Sequence, residues 1–224
     1  MTSSIVPEGR QLRLDWIRIG VAAGLVAVVS YTFLLFGSGD FRVAFIGASV
    51  FSVALGLASY GLYQFLTIEH HSAVAQIATV ATMVGGIVFL AMASVQLAVR
   101  SDLGGVDPTT LGTVYQLAER VHLGLDVAWD VYFAVAMGLF GVAAYSHPRL
   151  GRMVGASGVL VAAALLALNI ATFPIPPASA GSFDLGPIAG VWYLVVTVQI
   201  IRLLGWAKDE VLTRPTGHDA PDWT

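Results

Sequence analysis

Apolar side chains recur along this chain in six long runs, and short polar or Gly- and Pro-rich stretches separate them. About 20 apolar residues in a helix are enough to cross the hydrocarbon core of a bilayer, because a helix rises about 1.5 Å per residue. The pattern therefore predicts an all-α, polytopic membrane bundle with six transmembrane helices. The predicted spans cover residues 16–36, 41–66, 73–99, 114–145, 153–173 and 188–206.

The fourth run is longer than one membrane crossing requires, and it carries a polar stripe. Tyr115, Glu119, His122, Asp126 and Asp130 are spaced four, three, four and four residues apart. At about 100° per residue these side chains fall on one face of a helix. Ionisable groups at membrane depth are costly and usually face a protein interior or a watery cavity. The stripe is therefore the best candidate for a functional site in the sequence.

Basic residues predict the orientation of the bundle, because cytoplasmic segments of membrane proteins carry an excess of Lys and Arg. With the N-terminus inside, the outer loops contain only Arg42 and Arg100. The inner segments carry Arg10, Arg13, Arg18, Arg149, Arg152, Lys208 and Arg214. We therefore expect both termini in the cytoplasm and the protein in the cytoplasmic membrane. The first run has no clean small-residue cleavage site, so we expect a retained anchor rather than a signal peptide.

Composition supports the same class of protein. Only 11% of the residues are charged and 57% are hydrophobic, whereas about 25% charged residues is usual for soluble domains. The net charge of −3 argues against a nucleic-acid partner. Cys is absent from the sequence, which excludes disulfides, thiolate metal sites and Cys nucleophiles. We expect one integral-membrane domain over residues 1–224, in which residues 207–224 form a polar tail.

The predicted topology brings polar residues from several helices towards the outer end of the fourth span. Glu119, His122 and Asp126 would lie near the outer surface, with Asp130 about one turn, or roughly 5–6 Å, deeper. Gln96 and Thr172 end the third and fifth spans at the same level. The candidate ligand-binding or proton-relay residues are Tyr115, Glu119, His122, Asp126, Asp130, Arg100, Asn169, Trp192 and Tyr193.

Asp130 is the deepest acid in the predicted spans. An ionised acid facing lipid at the helix centre would cost on the order of 2.5–3.5 kcal/mol. We therefore expect Asp130 to face the bundle interior and to be protonated or paired with a hydrogen-bond donor. The candidate donors are Arg100, Tyr31, Asn169 and Tyr193.

Metal binding has only weak support in the sequence. Glu119, His122 and Asp126 could supply three zinc ligands, but only one of them is His, and no second Glu-x-x-His completes a di-iron set. The short turn between the second and third spans, which we expect to be solvated at the cytoplasmic face, contains Glu69, His70 and His71. No nucleophile elbow, phosphate-binding loop or HExxH motif identifies a cofactor or a reaction.

Three segments give the chain a family resemblance: RLDWIRIGVAAGLVAVV, YSHPRLGRMVGASGVLVAAALLAL and PIAGVWYLVVTVQIIRL. Their order resembles that of a bacterial and archaeal multipass family labelled domain of unknown function 4386. The resemblance covers most of the chain and implies a bundle of six or seven helices, with no activity attached. The last helix of that family often begins with an acidic residue, whereas this chain has Gly186 and Pro187 there. No functional residue is therefore carried over.

These patterns favour a binding or transport-type membrane protein whose outward-facing acidic pocket takes a small molecule, a cation or a proton. An alternative is an intramembrane enzyme that uses the paired carboxylates and His122 on a lipid or isoprenoid-like substrate. A second alternative is a structural subunit that packs against a membrane partner. Membrane lipid is the one partner that the sequence directly predicts, and the oligomeric state stays open.

Overall fold

The computed structural model describes residues 8–36, 40–103 and 108–213, and this part of the chain is helical with short connections and no strand. Six helices follow one another along the chain. They are α1 (Glu8–Phe36), α2 (Phe41–Leu66), α3 (Ala73–Leu103), α4 (Pro108–Tyr145), α5 (Gly151–Thr172) and α6 (Gly186–Thr213). Each predicted apolar run coincides with one of them, so the all-α fold with six helices is confirmed over the described residues.

The ends of the helices differ from the predicted spans. α1 begins at Glu8 instead of Trp16, and α6 continues to Thr213, so the first seven residues of the predicted polar tail are helical. The reason is physical: apolar composition marks the part of a helix that can lie in hydrocarbon, whereas backbone hydrogen bonding continues into polar flanks. Apolar runs therefore locate membrane spans better than they locate helix ends.

The surface of the bundle is unusually apolar. All six helices are long and apolar enough to cross a membrane. Large apolar side chains lie on the outside, and Met153, Ile87 and Val29 are 85%, 70% and 69% exposed. Soluble monomers rarely expose apolar surface on this scale. The fold is therefore compatible with a multipass membrane protein.

The helices form a ring in which each packs against the next and α1 also packs against α6. At one end of the bundle, side chains from the first turns of α1 form hydrogen bonds with the end of α6 and with the residue after α2. Arg10 donates a hydrogen bond to the Leu212 carbonyl at 2.9 Å, and Arg13 donates to Thr67 at 2.8 Å. The start of α1 and the end of α6 therefore lie at the same end of the bundle, beside the α2–α3 turn.

Glycines permit the closest helix contacts. Gly20 of α1 lies against Gly61 of α2 so closely that a Cβ on either residue would overlap the backbone of the other helix. At Gly61 the added carbon would also lie 2.9 Å from the Trp16 carbonyl oxygen. A second contact of this kind joins Gly155 of α5 to Tyr145 at the end of α4. Small residues at such crossings let membrane helices pack by van der Waals contact.

α4 is interrupted near its start. Gly112 has φ +56° and ψ −141°, which breaks the helical path before the polar stripe begins. This left-handed conformation suits Gly because it has no Cβ. The apolar span of α4 runs from Tyr115 to Tyr145, and its 31 residues exceed a single crossing.

Candidate functional site

A cavity of about 540 Å³ lies at the end of the bundle opposite the start of α1 and the end of α6. Its walls are formed by the ends of α1 and α3, by the beginnings of α2 and α6, and by α4. Pro176, Pro177, Ala178 and Asp184 of the α5–α6 loop also line it. This volume falls within the range of roughly 300–1,000 Å³ that is usual for small-molecule sites. α5 contributes no lining residue among the described residues, but it supports α4 from behind.

Three carboxylates face the cavity: Asp126 and Asp130, one turn apart on α4, and Asp184 from the loop. The Asp130 carboxylate accepts a hydrogen bond from Asn169 Nδ2 of α5 at 3.0 Å. The same nitrogen donates to the Leu165 carbonyl at 3.0 Å, which fixes the amide on its own helix. Among the suggested donors whose side chains the structure describes, Asn169 is therefore the one that hydrogen-bonds Asp130.

Tyr31 and Asp184 line the part of the cavity next to the α5–α6 loop. Asp184 accepts a hydrogen bond from the Gly186 backbone N–H at 2.8 Å and so caps the start of α6. The Tyr31 hydroxyl lies near this cap, since a Cβ on Gly186 would be 3.4 Å from it. Tyr31 also lies within electrostatic range of Asp126 and Asp130. The Tyr31 side chain of α1 therefore lies near all three acids of the cavity.

A continuous row of aromatic rings forms much of the cavity wall. Centroid distances between neighbouring rings lie between 4.8 and 5.4 Å along the row. The row crosses from α1 through α2, α3 and α4 to α6, and every ring in it lines the cavity. In spatial order its members are Tyr31, Phe51, Phe89, Trp129, Phe133 and Tyr193. Packed rings have few rotamers to exchange, so this wall is a preformed surface.

The electrostatics of the site are one-sided. None of the described residues that line the cavity is Arg, Lys or His, whereas three are Asp. The other polar lining groups are neutral hydroxyls and amides, such as those of Thr32, Thr197 and Gln96. Most of the lining is aliphatic or aromatic. The described lining therefore combines an apolar body with an acidic region in which no lining side chain is basic.

A much smaller cavity of about 20 Å³ lies deeper in the bundle, and Tyr193 lines both cavities, as do Leu55, Ala58 and Thr197. The Tyr193 hydroxyl is buried and makes no hydrogen bond of ordinary geometry with the described residues. The Thr82 hydroxyl lies near the Tyr193 hydroxyl, but it donates its own hydrogen to the Ala78 carbonyl at 2.9 Å. Buried hydroxyls usually have a hydrogen-bond partner. The Tyr193 hydroxyl is therefore a polar group of the cavity wall that could still form a hydrogen bond.

The structure brings some of the predicted site residues together and separates others. Asp126, Asp130 and Tyr193 line the cavity, and Asn169 stands directly behind Asp130. Trp192 points away, because its Nε1 donates to the Val154 carbonyl of α5 at 2.9 Å. Of these two adjacent aromatic residues, Tyr193 therefore lines the cavity and Trp192 does not, since neighbours on a helix face different directions.

The outer part of the stripe lies away from the cavity. Glu119 is exposed, and Tyr115 and His122 are partly buried, but none of the three lines the cavity. His122 is close enough to Asp126 to interact with it electrostatically. Its Nδ1 is buried without a hydrogen-bond partner among the described residues. The Arg100 side chain lies outside the described part of the chain, so its predicted place in the site stays a prediction.

No three or more His, Asp or Glu side chains among the described residues are placed to hold a metal ion. The weak set of Glu119, His122 and Asp126 is therefore not assembled as a ligand group. Glu69 and His70 lie in the α2–α3 turn, at the opposite end of the bundle from the cavity, and His70 is exposed.

Sequence reasoning missed two parts of the site. Asp184 lies two residues before Gly186, where α6 begins, and three before Pro187. An Asp just before a helix whose first turn contains Pro is a recognisable N-cap signal. That signal locates a helix end but does not indicate a cavity. The aromatic wall left no signal, because Phe51, Phe89 and Trp129 lie on three helices and meet only after packing.

A second cluster, outside the cavity, surrounds His147 in the α4–α5 turn. The buried ring stacks on Phe65 at 5.1 Å and contacts Trp206 edge-on at 5.7 Å. Its Nδ1 accepts from the backbone N–H groups of Arg149 and Leu150, both at 3.3 Å, and so stabilises the turn that leads into α5. Burial lowers the pKa of His147 to about 4; the Phe65 carbonyl partly opposes this shift, and the Arg149 charge adds to it. Nε2 makes no hydrogen bond of ordinary geometry with the described residues.

Comparison with known proteins adds no name to this geometry. No family model, no curated protein and no solved structure matches the chain. The resemblance to domain of unknown function 4386 therefore stays a prediction, and function has to be argued from the site itself.

Proposed function

We propose that this chain is an integral membrane protein of the binding or transport type, and that its ligand site is the acidic cavity. The observation that carries the proposal is the joint presence of a drug-sized volume, a preformed aromatic wall and three carboxylates at one end of the bundle. Large apolar pockets with a few convergent polar groups are the usual form of small-molecule sites. The cavity is also where Asp126 and Asp130, the ionisable pair of the polar stripe, meet side chains from other helices.

The membrane position that we propose follows from helix length. About 20 residues span the hydrocarbon core, so counting from Tyr145, where α4 ends, places Asp126 close to the other boundary. Asp130 then lies about one turn inside. With the basic end of the bundle in the cytoplasm, as the Lys and Arg distribution suggests, the cavity would face outward in the cytoplasmic membrane. Asp130 keeps its place in the apolar layer through the Asn169 hydrogen bond.

A route into the site is suggested by the seam between α1 and α6. Gly24 and Thr197 bring these helices together at the deeper level, since a Cβ on Gly24 would lie 2.8 Å from the Thr197 hydroxyl. Nearer the loop, Leu35 and Val191 both line the cavity and are 50% and 59% exposed. The cavity thus reaches the bundle surface between α1 and α6, where a ligand dissolved in lipid could enter.

Filling the cavity tests the proposal directly. A Cβ on Gly190 of α6 would meet only a ring carbon of Tyr31, at 4.0 Å, so the side chain in Gly190→Phe extends into the cavity. Gly205→Phe is the matched control, because Gly205 is on the same helix, is exposed and has no atom within 4 Å of an added Cβ. Purified wild type and both variants would be screened for thermal stabilisation by a chemically diverse set of small molecules.

Compounds that occupy the cavity should stabilise wild type and Gly205→Phe, and the effect should disappear in Gly190→Phe. A ligand at 100 times its Kd adds about 2.7 kcal/mol to the free energy of unfolding, which is readily measured. Retention of every stabilising effect in Gly190→Phe would show that the compounds bind elsewhere. Absence of any stabilising compound would favour a structural membrane subunit.

A second candidate, an intramembrane enzyme acting on a lipid or isoprenoid-like substrate, is favoured by the lateral reach of the cavity. Asp126 and Asp130 are one helical turn apart at the cavity wall, and two acids in different surroundings can act as acid and base. Incubation of the purified protein with a lipid extract, followed by mass spectrometry, distinguishes the two functions. An enzyme would convert a lipid, and Asp126→Asn would prevent the conversion; a binding protein would leave the extract unchanged.

A further inference from the structure

We infer that the cavity selects hydrophobic organic cations, molecules with one positive charge on a bulky apolar or aromatic body. This inference rests on the proposed function, since it names the ligand class for the same site. It also specifies which part of the ligand each wall would contact. The charged centre would lie between Tyr31, Asp126 and Asp130, and the apolar body would lie against the aromatic row.

Charge balance is the first reason. The described lining holds three carboxylates and no basic side chain. Asn169 donates one hydrogen bond to Asp130, but an amide brings no compensating charge. An anionic ligand would have to approach these acids with no basic side chain in the described lining to offset them, since His122 acts on Asp126 only from outside the lining. Like charges that meet away from water cost several kcal/mol. A cation would supply the charge that the site lacks.

The aromatic row is the second reason, and it is independent of the acids. Aromatic faces attract cations through the ring quadrupole, most strongly for Trp and when the site is shielded from water. Trp129 and Phe133 are stacked at 4.8 Å, and Phe133 stacks on Tyr193 at 5.0 Å. Rings packed in this way offer both a flat apolar surface and a negative electrostatic face. Neutral apolar ligands would use only the first property, whereas hydrophobic cations use both.

The shape of the cavity limits the size and nature of the ligand. A volume of about 540 Å³ is far more than a metal ion or a proton needs. The described residues also assemble no metal-binding cluster. A strongly hydrated small cation would leave most of the apolar wall unused and would lose its water shell. A bulky, weakly hydrated cation would fill the volume, contact the aromatic wall and balance the charge of the acids.

Two ions of nearly identical shape and opposite charge provide the test. Tetraphenylphosphonium and tetraphenylborate each present four phenyl rings around one central atom, so their difference in affinity reports the sign of the charge. Binding would be measured by equilibrium dialysis of the full chain in detergent, with empty micelles subtracted. Triphenylphosphine oxide serves as a neutral aromatic compound. We expect tetraphenylphosphonium to bind about tenfold or more tightly than either of the others.

Variants then assign the selectivity to the cavity. Asp130→Asn keeps the shape and the hydrogen bond from Asn169, and it should weaken tetraphenylphosphonium binding about tenfold or more. Asp209→Asn removes an exposed acid at the other end of α6 and should leave binding unchanged. For the aromatic wall, Phe133→Leu should weaken binding, whereas Phe173→Leu, at a residue 70% exposed and outside the lining, should not.

The outcomes separate this inference from the proposed function. Equal affinity for the three compounds, lost in Gly190→Phe but unaffected by Asp130→Asn, would overturn cation selectivity while keeping a small-molecule site. Preferential binding of tetraphenylborate would overturn it as well. No saturable tetraphenylphosphonium binding would overturn the inference, and the proposed function would then depend on the separate compound screen. Cation preference that is lost in Asp130→Asn and kept in Asp209→Asn would support it.

Discussion

At the scale of single residues, the two most informative side chains lie towards opposite ends of the bundle. Asp130 is partly buried and is held by Asn169 beside an open volume, whereas His147 is buried and packs against Phe65 and Trp206. A polar residue next to empty space is poised to meet a ligand. A polar residue in close packing mainly affects stability, so the two require different experiments.

His147 should make the stability of the protein depend on pH. Burial lowers its pKa to about 4 in the folded protein, whereas an unfolded chain has the ordinary value of about 6.5. Between these values the unfolded state binds more protons, so the free energy of unfolding falls as pH drops from about 6.5 to about 4. The loss would be at most on the order of 3 kcal/mol. Unfolding in mixed micelles at a series of pH values measures it.

His147→Asn keeps a side-chain acceptor for the Arg149 and Leu150 N–H groups but does not titrate. We expect this variant to be less stable at pH 7.5, because it loses the ring contacts, and to show a smaller decline on acidification. His70→Asn, which changes an exposed His in the α2–α3 turn, should retain the wild-type decline. A wild-type stability that stays constant down to pH 4.5 would contradict the role of His147.

At the scale of helices, close approach at glycine decides which pairs pack tightly. The crossing of α1 and α2 at Gly20 and Gly61 leaves no room for a methyl group on either residue. Trp16 and Tyr60 pack edge-to-face beside it, with ring centroids 4.9 Å apart. Further along both helices the cavity opens, where Tyr31 of α1 and Phe51 of α2 contribute to its wall.

Gly61→Ala should therefore destabilise the fold. The added methyl would overlap the α1 backbone at Gly20, and overpacking of this kind costs roughly 1–3 kcal/mol. Gly56→Ala on the same helix is the matched control, because its methyl would meet only Met83 Cγ at 3.7 Å. Replacing a helical Gly with Ala is otherwise favourable by roughly 0.5–1 kcal/mol. The measurement is the free energy of unfolding of both variants relative to wild type. Equal effects of the two substitutions would show that α1 and α2 can move apart at Gly20 and Gly61 without loss of stability.

At the scale of the whole molecule, the bundle has two chemically different ends. One end holds the cavity, the α5–α6 loop and the acids. The other joins the start of α1 to the end of α6 and carries basic side chains such as Arg13 and Arg149. This difference is the physical basis for the orientation proposed above, because basic segments stay in the cytoplasm during insertion.

The absence of Cys in the sequence allows a matched test of that orientation. Ser179→Cys marks the α5–α6 loop and Ser146→Cys marks the α4–α5 turn, and both serines are exposed. A membrane-impermeant maleimide should label Ser179→Cys in intact cells and Ser146→Cys only after permeabilisation. The reverse pattern would place the cavity mouth on the cytoplasmic side, and labelling of both from outside would contradict a six-span topology.

The sequence by itself determined the class of protein and the number of helices. Long apolar runs can bury their backbone polar groups in a membrane only as helices, so composition and length suffice for that prediction. It also indicated that Asp126 and Asp130 share one helix face, because helical periodicity is local. The ends of α1 and α6 were less well predicted, since polar residues continue a helix beyond the apolar run.

Only the tertiary structure decided which residues share a cavity. Asn169 was one of the donors that the sequence allowed for Asp130, and packing of α5 behind α4 places its amide on that carboxylate. Trp192 and Tyr193 are neighbours in sequence, yet one contacts α5 and the other lines the cavity. The aromatic row joins five helices that are distant along the chain. Such contacts depend on how the helices cross, and the crossings depend on pairs such as Gly20 and Gly61, whose meeting no single segment of sequence encodes.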